Sequence, residues 1–237
     1  AAGANDFLQK PFDSAELKAR AGSLMTLKES LGKAVDLEVA FLQSQIKPHF
    51  LFNVLNSIVA SSYTDVARSR EMTVELADYL RGSFRFNPIE NRIPFEEEFG
   101  LIQTYVQIEK ERFKDRIRFE HVIAEAVYEV KLPPLLLQPL VENAIRHGIG
   151  DRLSGGIIKL TAVKEQGYCT FVVEDDGVGI EGEQLEQLLR RVPDQRKGVG
   201  LYNINRRLKY EYGTELQVES TPGQGTKITV RIPAATA

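Results

Sequence analysis

The sequence predicts an α+β chain: a helical hairpin that completes a bundle by dimerising, followed by a domain in which helices and strands are mixed. Three observations carry this. Phe50, Leu51, Phe52, Val54, Leu55, Ile58 and Val59 cover more than half of a helix circumference at about 100° per residue. Met72, Leu76, Leu80 and Phe84 recur every four residues between Arg and Glu/Asp positions, as on a second amphipathic helix. From Arg116 onward, short alternating runs (Arg116–Ile123, Ile157–Lys164, Tyr168–Glu174) stand among helical ones, and Glu215–Ser220 and Thr226–Ile232 close the chain as a hairpin.

Composition narrows the class. A net charge of −3 leaves no basic footprint for nucleic acid. The single cysteine, Cys169, excludes an internal disulfide framework and any cysteine-based metal site. No apolar run approaches the roughly 18 residues of a membrane span, and the N-terminus has no signal-peptide pattern. The expectation is a soluble chain with no direct membrane contact, suited to a reducing cytoplasm.

Taken in order, residues 1–34 form a leader. Phe7-Leu8 reads as a short strand, Lys10-Pro11-Phe12 follows, and Asp13 or Ser14 caps a helix. This order resembles the end of a response-regulator receiver domain, of which only the tail is present. Ala15–Ala60 reads as largely continuous helix. Within it Val35, Val39, Leu42, Ile46, His49, Asn53 and Asn56 recur at alternating steps of four and three, a coiled-coil seam that turns polar at the histidine. Pro48 removes one backbone donor and crowds the carbonyl at Ser44, so the helix bends one residue before His49. His49 is then either a core histidine beside a kink or a reactive imidazole in a polar strip. Thr64-Asp65 caps the second helix, and Asn87-Pro88 stops it. Residues 35–90 thus make half of a four-helix bundle, which a homodimer would complete.

Residues 91–237 form the second domain. A helix opens at Ile93-Pro94 with Glu96, Glu97 and Glu98 on its positive end, and Phe99, Ile102, Val106 and Phe113 form its buried stripe. His121 lies on the inward parity of the following strand as a partly buried histidine. Pro133-Pro134 starts a helix Leu135–His147, which Gly148 ends. Its apolar side is Leu137, Leu140, Val141, Ala144 and Ile145. Gln138, Glu142 and Arg146 line up on the other side beside Asn143, as a solvated face or as a site. Glu181–Lys197 is polar and long enough for a lid, with Arg190, Arg191, Arg196 and Lys197 near the next helix start. That helix runs to Gly213 with Leu201, Ile204 and Leu208 inward.

Three pieces could carry chemistry. Cys169, Phe171 and Val173 share the inward parity of their strand, and Asp175 continues it; a carboxylate there needs a donor, such as an exocyclic amino group. Gly177 and Gly179 let the backbone approach a flat ligand. Asn143 offers an amide oxygen suited to Mg²⁺, and Glu142 could accept a proton. Gly198-Val199-Gly200 opens a helix, where free N–H groups favour an anion. It is no P-loop and no dinucleotide fingerprint, since Asn203 stands where a third glycine would be.

Together these pieces resemble one family. Gln-x-x-Pro-His-Phe-Leu-Phe-Asn around His49, Leu-x-x-Leu-Val-Glu-Asn-Ala-Ile-Arg-His-Gly around Asn143, Asp175-x-Gly177-x-Gly179 and Gly198-x-Gly200-Leu201-x-Asn203 occur in the order found in sensor histidine kinases of the LytS type. The resemblance covers roughly residues 36–234. It implies a dimeric phosphoacceptor bundle ahead of a two-layer α/β sandwich that binds ATP, shared with DNA gyrase and heat-shock chaperones. It further implies that His49 is the phosphoacceptor, Asn143 the Mg²⁺ ligand and Asp175 the partner of the adenine amino group. Gly177, Gly179, Gly198, Gly200 and Leu201 would shape the pocket, with Thr226 on the adenine side and His147 close to the phosphates. Autophosphorylation of His49 would be followed by transfer to an aspartate of a receiver domain. Phe50, not an acidic residue, follows His49, which leaves open what orients the imidazole; Glu142 and Asn53 are the two candidates. The implied setting is the cytoplasm, alone or as the cytoplasmic part of a longer membrane-anchored or hybrid kinase. The alternative is an ATPase or nucleotide-gated dimeric module of the same fold without phosphohistidine chemistry.

Overall fold

A computed structural model describes residues 14, 18, 20–25, 48–85, 92–113, 116–150, 152, 154–189 and 199–234. The chain divides into two compact units, Ala1–Lys47 and Pro48–Ala237. The described residues of the first are helical. The expected strand at Phe7-Leu8, the seam from Val35 to Ile46, the bend before His49, the stop at Asn87-Pro88 and the segment from Arg190 to Gly198 lie outside the described residues.

The second unit begins with the hairpin. Helix α1 (Pro48–Thr64) and helix α2 (Val66–Arg85) are joined through Asp65. Asp65 Oδ1 accepts the Arg68 N–H at 2.9 Å, the N-cap expected from its position. The Ser69 hydroxyl donates to the Ile58 carbonyl and ties the two helices. Helix α1 does not bury its whole apolar girth: Phe50 and Val54 are buried, whereas Phe52, Leu55 and Val59 are exposed. On α2 the buried positions are Ser69, Met72, Leu76, Tyr79 and Ser83, and Phe84 is exposed. A strict four-residue step drifts about 40° around a helix each time, so Leu80 is only partly buried, Phe84 leaves the contact and Tyr79 takes the inner position.

The rest is a mixed sheet under a layer of helices. Strands β2 (Ile117–Ile123), β4 (Gly156–Glu165), β5 (Tyr168–Asp175), β6 (Gln217–Thr221) and β7 (Gly225–Pro233) lie in the order β2-β4-β5-β7-β6; β2 and β4 are parallel and the other pairs antiparallel. Helices α3 (Phe95–Phe113), α4 (Gln138–Asn143) and α6 (Val199–Tyr212) cover the face that carries Leu160, Phe171 and Val230, all fully buried. Phe95 meets Phe171 across the layers, ring centroids 5.2 Å apart. The hairpin packs on the outside of α3: Gly82 approaches Leu101 so closely that a Cβ would lie 3.0 Å from its Cδ1, and Arg68 Nε donates to Glu111 Oε2 at 2.9 Å.

Several boundaries differ from expectation. Helix α3 starts at Phe95, because Ile93 and Pro94 form a short strand β1 that pairs with β3 (Lys131–Leu132). Helix α4 starts at Gln138, not Leu135, which has a positive φ of 59°. It continues past Gly148 as a π turn, Ala144–Ile149. A short helix α5 (Gly182–Leu189) lies in the polar stretch after β5. His121 is exposed rather than partly buried and lies edge-on to Phe99.

Candidate functional site

Strand β5 delivers Asp175 as its parity predicts. Cys169, Phe171 and Val173 are buried inward, and Asp175 follows at the strand end, half-buried, opposite Thr226 of β7. Its Oδ1 accepts the Gly177 N–H at 2.9 Å. Burial raises the Asp175 pKa to about 6, partly countered by the Gly177 N–H.

Around that carboxylate the backbone is drawn in to a degree that excludes side chains. The π turn brings Gly148 against it: a Cβ on Gly148 would stand 2.5 Å from Asp175 Oδ1, and one on Gly177 would stand 2.1 Å from the Gly148 carbonyl oxygen. The Gly148 oxygen accepts the Val178 N–H at 3.0 Å, which locks the turn after β5 to the end of α4. Gly179 has a φ of 70° and lies against the Thr221 carbonyl. Below them the Ser220 hydroxyl accepts the Ile180 N–H at 2.8 Å and lies 2.9 Å from Thr226 Oγ1. Asp176 is exposed and structural, with Oδ1 accepting the Ile157 N–H and its carbonyl met by Arg152.

On the other side of the π turn, Asn143 ends α4, half-buried. A Cβ on Gly200, in the first turn of α6, would lie 3.5 Å from Asn143 Nδ2. The amide therefore faces a helix N-terminus with free N–H groups, where an anion is stabilised. Leu201 is buried and anchors that helix, while His147 is exposed in the π turn. Gly198 lies outside the described residues. An inward carboxylate among glycines that keep side chains away from it, and an amide beside a helix N-terminus, fit an adenine, its phosphates and a hard cation with one protein ligand.

The side of α4 that could have been a solvated face is not one. Gln138 and Glu142 are buried; Gln138 Nε2 donates to Glu142 Oε1 at 3.1 Å and to the Tyr79 hydroxyl at 2.7 Å. Tyr79 in turn donates to Glu142 Oε1 at 3.4 Å. Burial, with the Glu142 charge, pushes the Tyr79 phenol well above its ordinary range, so it stays the donor. The N-terminus of α4 is capped from α3. Glu98, with no exposed surface, accepts the Leu137 and Gln138 N–H groups at 2.6 and 3.0 Å through Oε1. Burial raises its pKa to about 7.

His49 is exposed on α1, so it is not a core histidine. Asn53, one turn on, places Nδ2 3.1 Å from His49 Nδ1. Phe50 is buried between Tyr79 and Tyr105, centroids 5.1 Å from each, which accounts for an aromatic rather than an acidic residue after the histidine. Sequence reasoning missed Gly148 as part of the pocket, read Glu98 only as an acid at a helix start and Ser220 only as a strand end, and missed Tyr79. Gly148 carried a signal, as the last residue of the box around Asn143; the other three carried none.

Residues 37–117 match the family model described as "Histidine kinase", and residues 131–236 match "Histidine kinase-, DNA gyrase B-, and HSP90-like ATPase". YwpD of Bacillus subtilis (strain 168) is 45% identical over 235 residues, 99% of this chain and 84% of that protein. Sensor protein LytS of Bacillus anthracis is 38% identical over 202 residues, 84% of this chain and 34% of LytS. LytS of Staphylococcus haemolyticus (strain JCSC1435) is 34% identical over 205 residues, 85% of this chain and 35% of LytS. The chain thus spans about a third of the LytS proteins it matches. Among solved structures, the histidine kinase domain of the Erythrobacter litoralis EL346 blue-light activated histidine kinase aligns with a TM-score of 0.46 at 22% identity, over 86% of this chain and 96% of that one.

Proposed function

This chain belongs to the LytS-type histidine kinases, ATP-binding protein kinases of two-component signalling, and on that premise we propose that its own His49 takes the γ-phosphoryl group of ATP. The observation that carries the reading is one of placement. An exposed imidazole held by Asn53 stands on a helix whose next side chain, Phe50, is buried in the same compact unit as the Asp175 cradle. In this reading residues 35–90 are the dimerisation and phosphoacceptor hairpin and residues 91–237 the ATP-binding domain. Residues 1–34 are the tail of a receiver domain with a connecting helix.

Asp175 accepts the adenine amino group, Gly177, Gly179 and Thr226 line the base, and Gly198, Gly200, Leu201 and His147 belong to the phosphate side. Asn143 would hold Mg²⁺, whose other ligands are phosphate oxygens and water; when bound, it neutralises phosphate charge. In the transfer the bond from the γ-phosphorus to the β-phosphate oxygen breaks and a bond to a ring nitrogen of His49 forms, with loss of the ring proton. Glu142, beside Asn143 in the chain, is the candidate base for that proton. Asn53 takes the orienting role: with Oδ1 turned to the ring it would keep the proton on Nδ1 and leave the Nε2 lone pair to attack. The phosphoryl group then passes to a receiver-domain aspartate. Exposed Phe52, Leu55 and Val59 support a homodimer, and the use of ATP supports a cytoplasmic setting. Among the described residues no helix is long and apolar enough to cross a membrane.

The test is incubation with γ-labelled ATP. An acid-labile, base-stable label maps to His49, and His49→Gln abolishes it while nucleotide affinity stays at the parent value. Label that persists on the Gln variant overturns the assignment in favour of His121 or His147.

A further inference from the structure

His49 and Asn143 are each one peptide bond away from a buried residue that meets Tyr79, His49 through Phe50 and Asn143 through Glu142. Phe50 and Tyr79 enter this buried group from the hairpin, Tyr105 from α3, and Gln138 and Glu142 from α4. Phe50 meets Tyr79 edge-on, with 60° between ring planes, and Tyr105 lies 5.9 Å from Tyr79. Ring packing alone would hold the hairpin in several registers, because aromatic contacts tolerate sliding. The Tyr79 hydroxyl does not. It is fully buried, and a buried hydroxyl or amide left without a partner is costly. In the observed register the hydroxyl meets both Gln138 Nε2 and Glu142 Oε1, and a slide of the hairpin would leave it and Gln138 Nε2 short of partners.

We propose that Tyr79 is a positioning residue for phosphoryl transfer: its hydroxyl sets the register of the phosphoacceptor helix on α4 and aims the Glu142 carboxylate beside Asn143. This rests on the roles given above to His49 and Asn143. Tyr79 touches neither the nucleotide nor His49; it acts through Phe50 on one side and through Glu142 on the other. Its removal therefore affects transfer, not nucleotide affinity.

Tyr79→Phe keeps the ring and deletes the hydroxyl, and Gln138→Leu removes the partner from the opposite side. On the full chain, both variants are compared with the parent for kcat and KM of His49 phosphorylation, for melting temperature, and for hydrogen exchange of residues 48–56 with and without Mg·ADP. The expected result is a kcat lower by about tenfold or more in each variant, as misplacement of reacting groups produces. KM for ATP is unchanged, and the nucleotide-dependent change in exchange seen in the parent is lost. A Tyr79→Phe variant with parental kcat overturns the proposal. So does a kcat loss accounted for by a raised KM and a lowered melting temperature, which is the mark of a merely structural role. If the parent itself puts no phosphate on His49, the functional reading fails, and exchange alone decides. Nucleotide-dependent exchange that disappears in Tyr79→Phe upholds the coupling; exchange that persists overturns it.

Discussion

Gly148 and Asp175 lie so close that a methyl group on Gly148 would stand 2.5 Å from the Asp175 carboxylate oxygen. The two come from different layers, the π turn after α4 and the end of β5, and their contact fixes the carboxylate, which also accepts the Gly177 N–H. Gly148→Ala should therefore weaken nucleotide binding without unfolding the domain. Displacing the carboxylate by overpacking costs about 1–3 kcal/mol, which is roughly tenfold or more in affinity. Calorimetric titration with Mg·ADP, beside a far-ultraviolet spectrum of unchanged helix content, checks it; parental affinity would separate Gly148 from the site.

Burial raises the Asp175 pKa to about 6, so the proposed contact of Asp175 with the adenine predicts a pH-dependent nucleotide affinity. A donor such as the adenine amino group favours the ionised carboxylate, so affinity is full above that value and falls as pH drops through it. Titrations from pH 8 to pH 5 should show this fall relative to Asp175→Asn. The Asn variant binds more weakly at pH 8 and lacks that part of the profile. Parallel profiles for the two proteins would show that Asp175 does not meet the base.

Glu98 predicts a pH dependence of stability. Its folded pKa, raised to about 7 by burial, lies above the ordinary carboxylate value, so the folded protein binds more protons than the unfolded chain between the two. Stability is therefore greatest below about pH 4.5, as far as this group is concerned, and is lost as pH rises through about 7. The loss is at most about 3 kcal/mol. Glu98→Gln keeps an acceptor for the Leu137 and Gln138 N–H groups and cannot ionise. Its melting temperature should decline less than the parent's between pH 5 and pH 8. Asp175, with the same sign of shift, retains a smaller slope in the variant. Equal slopes in the two proteins would contradict the assignment.

The hairpin predicts a dimer. Leu55 is 48% exposed and Phe52 66% exposed, on the side of α1 that Phe50 and Val54 do not use. Each large apolar side chain left in water forgoes about 1.5–3 kcal/mol. Leu55→Glu should yield monomers by light scattering that still bind Mg·ADP, since Leu55 has no part in the packing on α3. A parent that is monomeric at micromolar concentration with full kinase activity would refute this.

The sequence by itself determined the hairpin, the five strands of the main sheet and the order of the boxes, because these rest on local periodicity. The parity of Cys169, Phe171 and Val173 carried Asp175 inward, and Leu201, Ile204 and Leu208 set the inner face of α6, as observed. The tertiary structure alone decided which polar groups are buried. Glu98 read as an acid on the positive end of its helix, and Gln138 and Glu142 as a solvated face or a site; all three are buried because distant segments supply partners, the first N–H groups of α4 for Glu98 and the Tyr79 hydroxyl for the other two. Hydrogen-bond satisfaction across tens of residues leaves no periodic trace. For the same reason Tyr79 read as one more helix residue, though it joins the helix of His49 to the helix of Asn143.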